Sequence, residues 1–281
     1  MFLRFLACPM IGFLLLCTSL WAHSETQKLT ITGSSTVAPL ALEIGKRFEA
    51  QHKGVQVNVQ TGGSSRGVAD TRSGMADIGM ASRELAKSEQ DLFEHRIALD
   101  GIALIVNSKN PVSELADEDI RSIYTGKITN WKELGGLDKP ITVVNKAEGR
   151  STLELFLKYM HLKNSQIKAS VVIGDNQQGI KTVVGNPYAI GYVSIGAAEF
   201  EEKYGAPIKR LPMNGVIADI SQIQAGTFPL SRPLNLVTKT IPTGLIKQFI
   251  DFAQSDTVQD LIAEQYFVAP KKNKPVVVTL K

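Results

Sequence analysis

The chain has 281 residues, 43% hydrophobic and 21% charged, which suits a soluble globular protein with one or two cores. Its 31 basic and 27 acidic residues leave a formal charge of +4. No basic run stands out apart from Lys271-Lys272, which argues against nucleic acid or a membrane surface as a partner while leaving small anions open.

The N-terminus has the layout of an export signal over residues 1–24. Arg4 precedes a nearly continuous apolar run from Phe5 to Trp21, and Ala22-His23-Ser24 sets small residues ahead of a cut before Glu25. The competing readings are a membrane anchor, for which the run is short, and a lipoprotein signal at Cys17, which lacks a small residue just before the cysteine. Both cysteines, Cys8 and Cys17, fall in this segment. A processed chain would therefore have no disulfide, no thiol chemistry and no Cys-based zinc site.

Lys28–Ile31 reads as a buried strand that empties into Thr32-Gly33-Ser34-Ser35-Thr36-Val37-Ala38-Pro39-Leu40. From Pro39 to His52 the spacing of Leu40, Ile44 and Phe48 predicts a helix ended by Gly54. A strand–turn–helix corner of this kind leaves backbone N–H groups at the helix start without partners, beside hydroxyls, and so forms a cradle for an anion. Val55–Gln60 alternates strictly as a strand, and its tip carries a second such loop, Gly62-Gly63-Ser64-Ser65-Arg66-Gly67, before a short helix over Gly67–Ser73. Ala76–Arg83 contains another short strand that ends in a polar turn.

Ile97–Asn107 is a long apolar run broken by Asp100-Gly101, suited to a strand passing between two lobes. A helix follows over Ala116–Tyr124, then a strand at Ile141–Val144 and a third Gly/Ser loop, Glu148-Gly149-Arg150-Ser151-Thr152, which opens a helix over Thr152–Met160. Val171–Ile173 and Ala189–Val193 are further strands. Pro233–Thr238 would return the chain to the first lobe, and Thr243 starts a last helical stretch that Ser255-Asp256 divides in two. Val276-Val277-Val278 suggests an edge strand or a mobile tail. Strands alternating with helices imply a largely parallel α/β sheet, whose ligands sit at the carboxyl ends of the strands.

His23, His52, His95 and His161 are the histidines; none is spaced for a metal and none adjoins a Gly-x-Ser-x-Gly elbow. The expectation is a protein with no catalytic residues, no metal and no cofactor.

Several phrases together resemble one family: Thr32-Gly33-Ser34-Ser35-Thr36, Gly63–Val68, Asp77–Arg83, Tyr124–Trp131, Ala189–Val193 and Phe228–Leu234. The chain resembles the periplasmic phosphate-binding proteins, solute receptors of phosphate ABC transporters, over nearly its whole length after residue 24. The resemblance implies an α/β, two-lobed Venus-flytrap fold of type II with two crossover strands. The two crossing strands set lobe I at 25–106 plus 232–281 and lobe II at 107–231. The resemblance implies inorganic phosphate as ligand, permease subunits as partners, a periplasmic location and a monomer. The alternatives are a receptor or sensor for another oxyanion, such as sulfate or a phosphonate, or a phosphate-ester hydrolase or adhesin on the same fold.

Carried over by position, the resemblance points to Thr36, Val37 and neighbouring Ser35 in the first loop, to Ser64 and Ser65 in the second, and to Ser82. Asp77 would be an acceptor carboxylate that favours a ligand still carrying a proton, with an ordinary strand-end cap as the competing reading from local sequence. Lys146, Gly149, Arg150, Ser151 and Thr152 form the second-lobe loop. There this chain departs from the family pattern of Arg, two residues, then Gly-Ser-Gly-Thr: Lys146 replaces arginine, Arg150 replaces serine and Ser151 replaces glycine. A point charge does not substitute for a planar fork, so Arg150 either supplies the missing fork or fills the pocket and changes its ligand. Arg66 and Arg83 read as ligand contacts or as salt bridges on the surface or between the lobes. Glu148 reads as a partner of Lys146 or Arg150 or as a solvated helix charge, and Trp131 and Tyr192 as packing.

Overall fold

In the computed structural model, which describes residues 26–271, the first lobe grows from a strand–helix–strand unit. β1 (Gln27–Gly33) leads into α1 (Ala38–Gln51), β2 (Val55–Thr61), α2 (Ser64–Ser73) and β3 (Ile78–Ala81). β1 pairs in parallel with both β2 and β3. Helix α1 forms because Leu40, Ile44 and Phe48 fall on one face, and each is fully buried against the sheet. Burial of such a side chain contributes roughly 1.5–3 kcal/mol before chain entropy is counted. The expected export segment and the Val276–Val278 strand lie outside the described residues. Among the described residues, no helix is long and apolar enough to cross a membrane.

The chain then enters β4 (Phe93–Asn107), a strand of 15 residues. The second lobe follows with α3 (Asp117–Tyr124), β5 (Thr142–Lys146), α4 (Ser151–Tyr159), β6 (Val171–Ile173), α5 (Asn176–Gly185), β7 (Ala189–Ser194), α6 (Ile195–Lys203), β8 (Ile208–Leu211) and α7 (Ile220–Ala225). β9 (Ser231–Thr238) returns to the first lobe, where α8 (Gly244–Ala253) and α9 (Gln259–Glu264) pack on α1. A 3-10 turn at Asp256–Val258 divides these last helices, at the predicted break.

The strands form a continuous order, β2-β1-β3-β9-β4-β7-β5-β6, with β8 on β4. β4 pairs antiparallel with β9 from Phe93 through Gly101 and with β7 from Ile102 through Val106. β4 exchanges β9 for β7 at Gly101/Ile102, five residues before the expected boundary at 106, and Ile102, Ala103, Leu104 and Val106 pack in one core with Tyr124, Trp131, Phe156 and Tyr192. β3 and β9 run antiparallel, so the sheet is mixed where the chain crosses between lobes.

Two glycines let the first-lobe loops close together. Gly33 has φ +133°, and a Cβ there would stand 2.4 Å from the Met80 carbonyl oxygen and 2.9 Å from Gly67 Cα. The ends of β1 and β3 and the first turn of α2 therefore touch through backbone alone. Helix α2 starts at Ser64, earlier than the sequence spacing indicates, so Ser64 and Ser65 belong to its first turn.

Candidate anion-binding site

The first-lobe half of the site is assembled by Ser34, which is 2% exposed. Its Oγ accepts from the amides of Thr36 at 3.2 Å and Val37 at 3.4 Å, and donates to Ser82 Oγ at 3.0 Å. One hydroxyl thus folds the turn after β1 and ties it to the end of β3. Ser64 adds a second tie: its Oγ accepts from the Ser82 amide at 3.1 Å. Thr36, Ser64 and Ser82 are all buried, whereas Ser35 is half-buried on the rim.

At the centre lies an ion pair on the two crossing strands. Asp100 and Arg232 face each other in the β4–β9 register, and both side chains are fully buried. Asp100 Oδ2 accepts from Arg232 Nε at 3.0 Å and Nη2 at 2.8 Å, and its Oδ1 accepts from the Gly196 amide at the start of α6 at 3.2 Å. Arg232 then reaches both lobes. Nη2 donates to Thr36 Oγ1 at 3.3 Å, and Nη1 donates to Thr152 Oγ1 at 2.9 Å and lies 3.5 Å from Ser82 Oγ. Neither residue was anticipated as a site residue.

The second lobe brings Lys146, Ser151 and Thr152 from the end of β5 and the start of α4, all at most 4% exposed. Lys146 Nζ donates to Asn176 Oδ1 at 2.9 Å, and the Asn176 amide donates to Thr36 Oγ1 across the cleft at 3.1 Å. Burial, reinforced by Arg232 and also by Arg150, pulls Lys146 from the usual lysine range down to about 7, with Asp175 opposing. Tyr192 packs on Phe156 and also steers this loop: its hydroxyl donates to Asn145 Oδ1 at 2.5 Å and accepts from the Lys146 amide at 3.3 Å.

Further contacts bind the lobes to each other. Ser151 Oγ donates to Ser64 Oγ at 2.5 Å, and the Ser65 amide donates to the Gly149 carbonyl at 3.3 Å. Ser65 Oγ donates to Glu154 Oε1 at 3.1 Å, and Arg83 bridges Glu154 at 2.8 Å and Glu89 at 2.6 Å. Of the two readings open for Arg83, the salt bridge between the lobes is the one found; Arg66 pairs locally with Asp70. A Cβ on Gly63, whose φ is +99°, would stand 2.5 Å from the Gly149 carbonyl oxygen. Gly63→Ala is therefore expected to hold the lobes apart and weaken anion binding by at least tenfold, measured by isothermal titration. An unchanged affinity would show that closure tolerates the methyl group.

Two expected residues lie elsewhere. Asp77 precedes β3, whereas Ser82 follows it. Five residues of extended chain separate them by roughly 16 Å. Asp77 is exposed, and its Oδ2 accepts from the Thr30 amide at 2.7 Å, so it caps the opposite end of the sheet. Arg150 supplies no fork to the network. Its Cδ would lie 2.9 Å from a Cβ on Gly63, its Nη2 is turned toward Gly174, and its Nε is buried without a hydrogen-bond partner. Glu148 accepts from Asn164 Nδ2 at 2.8 Å on the surface and serves neither Lys146 nor Arg150 as a partner.

What the assembled groups offer is donors. Arg232, Lys146 and Asn176 supply N–H groups, and Thr36, Ser64, Ser82, Ser151 and Thr152 supply hydroxyls. That set matches the acceptor oxygens of a small tetrahedral anion. A family profile described as the PBP superfamily domain matches residues 22–257. The phosphate-binding protein PstS of Bacillus subtilis is 30% identical over 246 residues, covering 85% of this chain and 80% of that protein. PstS of Borreliella burgdorferi is 28% identical over 271 residues, covering 92% and 96%. Among solved structures, a Clostridium perfringens chain crystallised with bound phosphate superposes with a TM-score of 0.80 at 33% identity, covering 87% of this chain and 100% of the other. A phosphate transport receptor from Vibrio cholerae gives 0.72 at 32% identity, covering 86% and 100%.

Proposed function

The chain belongs to the PBP superfamily and, within it, to the PstS phosphate-binding proteins, and we propose that it is the receptor that holds inorganic phosphate between its lobes for an ABC transporter. The observation that carries this reading is Arg232, fully buried on Asp100 and donating to Thr36 in one lobe and Thr152 in the other. Lys146, Asn176 and the hydroxyls of Ser64, Ser82 and Ser151 complete the ring of donors. The anion would bridge the lobes and favour their closed arrangement, because each lobe holds only part of the ligand set. Permease subunits as partners, a monomeric state and a periplasmic location complete the proposal; they follow from the family and from the export signal read at residues 1–24.

The donor set also bears on selectivity. Asp100 Oδ2 accepts twice from Arg232 and Oδ1 accepts from the Gly196 amide, so the carboxylate is committed to protein donors and is not counted among the ligand's acceptors. The Asn176 carbonyl is held likewise by Lys146 Nζ and the Ser194 amide, so selectivity for hydrogen phosphate over sulfate would rest on the hydroxyls, which can turn to suit either ion. Isothermal titration with phosphate and sulfate at neutral pH tests both points. Phosphate is expected to bind, sulfate to compete at higher concentration, and Asp77→Ala to change neither affinity. No phosphate binding at millimolar ligand would overturn the receptor reading, and a changed selectivity in Asp77→Ala would return that residue to the site.

A further inference from the structure

The bridge between Thr36 and Asn176 has a second side. Both residues line a cavity of about 290 Å³, which neither Arg232 nor Lys146 lines. Its floor is polar and nine-tenths or more buried: Thr36 is 4% exposed, Asn176 6% and Ser194 0%. Its walls include Ala197, Phe200 and Phe267. Every residue around it is uncharged. At ~30 Å³ per water molecule the space holds on the order of ten waters. A bare tetrahedral anion held by the donor ring has no use for an apolar wall, nor for a space of this size beside it.

We propose that this cavity is a subsite for the organic group of a substituted oxyanion, a monoalkyl phosphonate or a small phosphate monoester. The charged oxygens occupy the donor ring, and the substituent displaces the 3.1 Å hydrogen bond from Asn176 to Thr36 and lies against Phe200 and Phe267. The substituted position gives up the hydrogen bonds of one oxygen, and apolar burial offsets that loss by about fourfold per methylene. Because no acidic side chain lines the cavity, a neutral substituent is favoured over a cationic one. The inference rests on the donor ring being the anion site.

Isothermal titration of the full chain with inorganic phosphate, ethylphosphonate and 2-aminoethylphosphonate tests it. Ethylphosphonate is expected to bind within tenfold of phosphate and more tightly than its amino counterpart. Ala197→Phe, which narrows the cavity while its amide keeps the Ser194 cap, is expected to weaken ethylphosphonate at least tenfold and leave phosphate within twofold. If that variant does not fold, Phe200→Ala, on a side chain 37% exposed, is expected to weaken ethylphosphonate several-fold and spare phosphate. An ethylphosphonate affinity more than tenfold below that of phosphate, or equal effects of the variants on both ligands, overturns the subsite and leaves the phosphate reading intact. Failure of phosphate itself to bind removes both.

Discussion

Arg232→Ala is expected to abolish measurable phosphate binding and to lower the melting temperature by about 10 °C. Removing one member of a fully buried pair leaves Asp100 charged and uncompensated, which costs on the order of 3–5 kcal/mol, and each kcal/mol moves the transition of a domain this size by roughly 2–4 °C. Stability and binding can be separated. In Asp100→Leu/Arg232→Met an apolar pair of similar volume replaces the ions, and such replacements are often neutral or stabilising. The double variant is expected to recover most of the melting temperature and none of the affinity. Recovery of binding would show that Arg232 is a structural ion pair and not a ligand. Thermal unfolding and isothermal titration on the same samples decide the matter.

The second large effect concerns protons. Lys146 in the empty protein sits at about 7, against 10.5 for a free lysine, chiefly through burial and then through Arg232. Between these values the unfolded chain binds more protons at this site than the folded one. The contribution of this group to stability therefore rises with pH from about 7 to about 10.5. An anion beside Lys146 reverses the balance by favouring the ammonium form, so binding at pH 8 is expected to take up as much as about one proton. Titration in buffers of different ionisation enthalpy reads that uptake. Lys146→Arg keeps the positive charge and removes the titration, and the ligand's own ionisation is common to both proteins. Uptake in the wild type is expected to exceed that in the variant; equal uptake would refute proton coupling at Lys146.

The first-lobe loops were legible in the sequence because a strand, a Ser/Gly turn and an apolar helical period occur in an unbroken stretch, so local pattern is enough to place Thr36 and Ser64 at strand ends. The ion pair was not. Asp100 looks like a lone interruption of the apolar run Ile97–Asn107 and Arg232 stands just before the run Pro233–Thr238, and they meet only through the β4–β9 register. The clue available was one charge inside the first run and one at the edge of the second, where buried strands should have none. Asn176 was missed for a different reason. The start of α5, Asn176-Gln177-Gln178-Gly179, has no apolar period, and Asp175 caps it through the Gln178 amide. Asp77 shows the limit of position-by-position transfer: strand polarity puts any residue before β3 at the end away from the loops.

Because the exchange of partners at Gly101/Ile102 falls next to Asp100, the guanidinium of Arg232 stands at the axle and not on either arm. Were one lobe to turn about that axle, Thr36 or Thr152 would be displaced far more than the charge. An anion would accordingly stay within reach of its counter-charge while the arms part, and departure would be governed by the outer hydroxyls. A small change at the axle would become a large one at the rims.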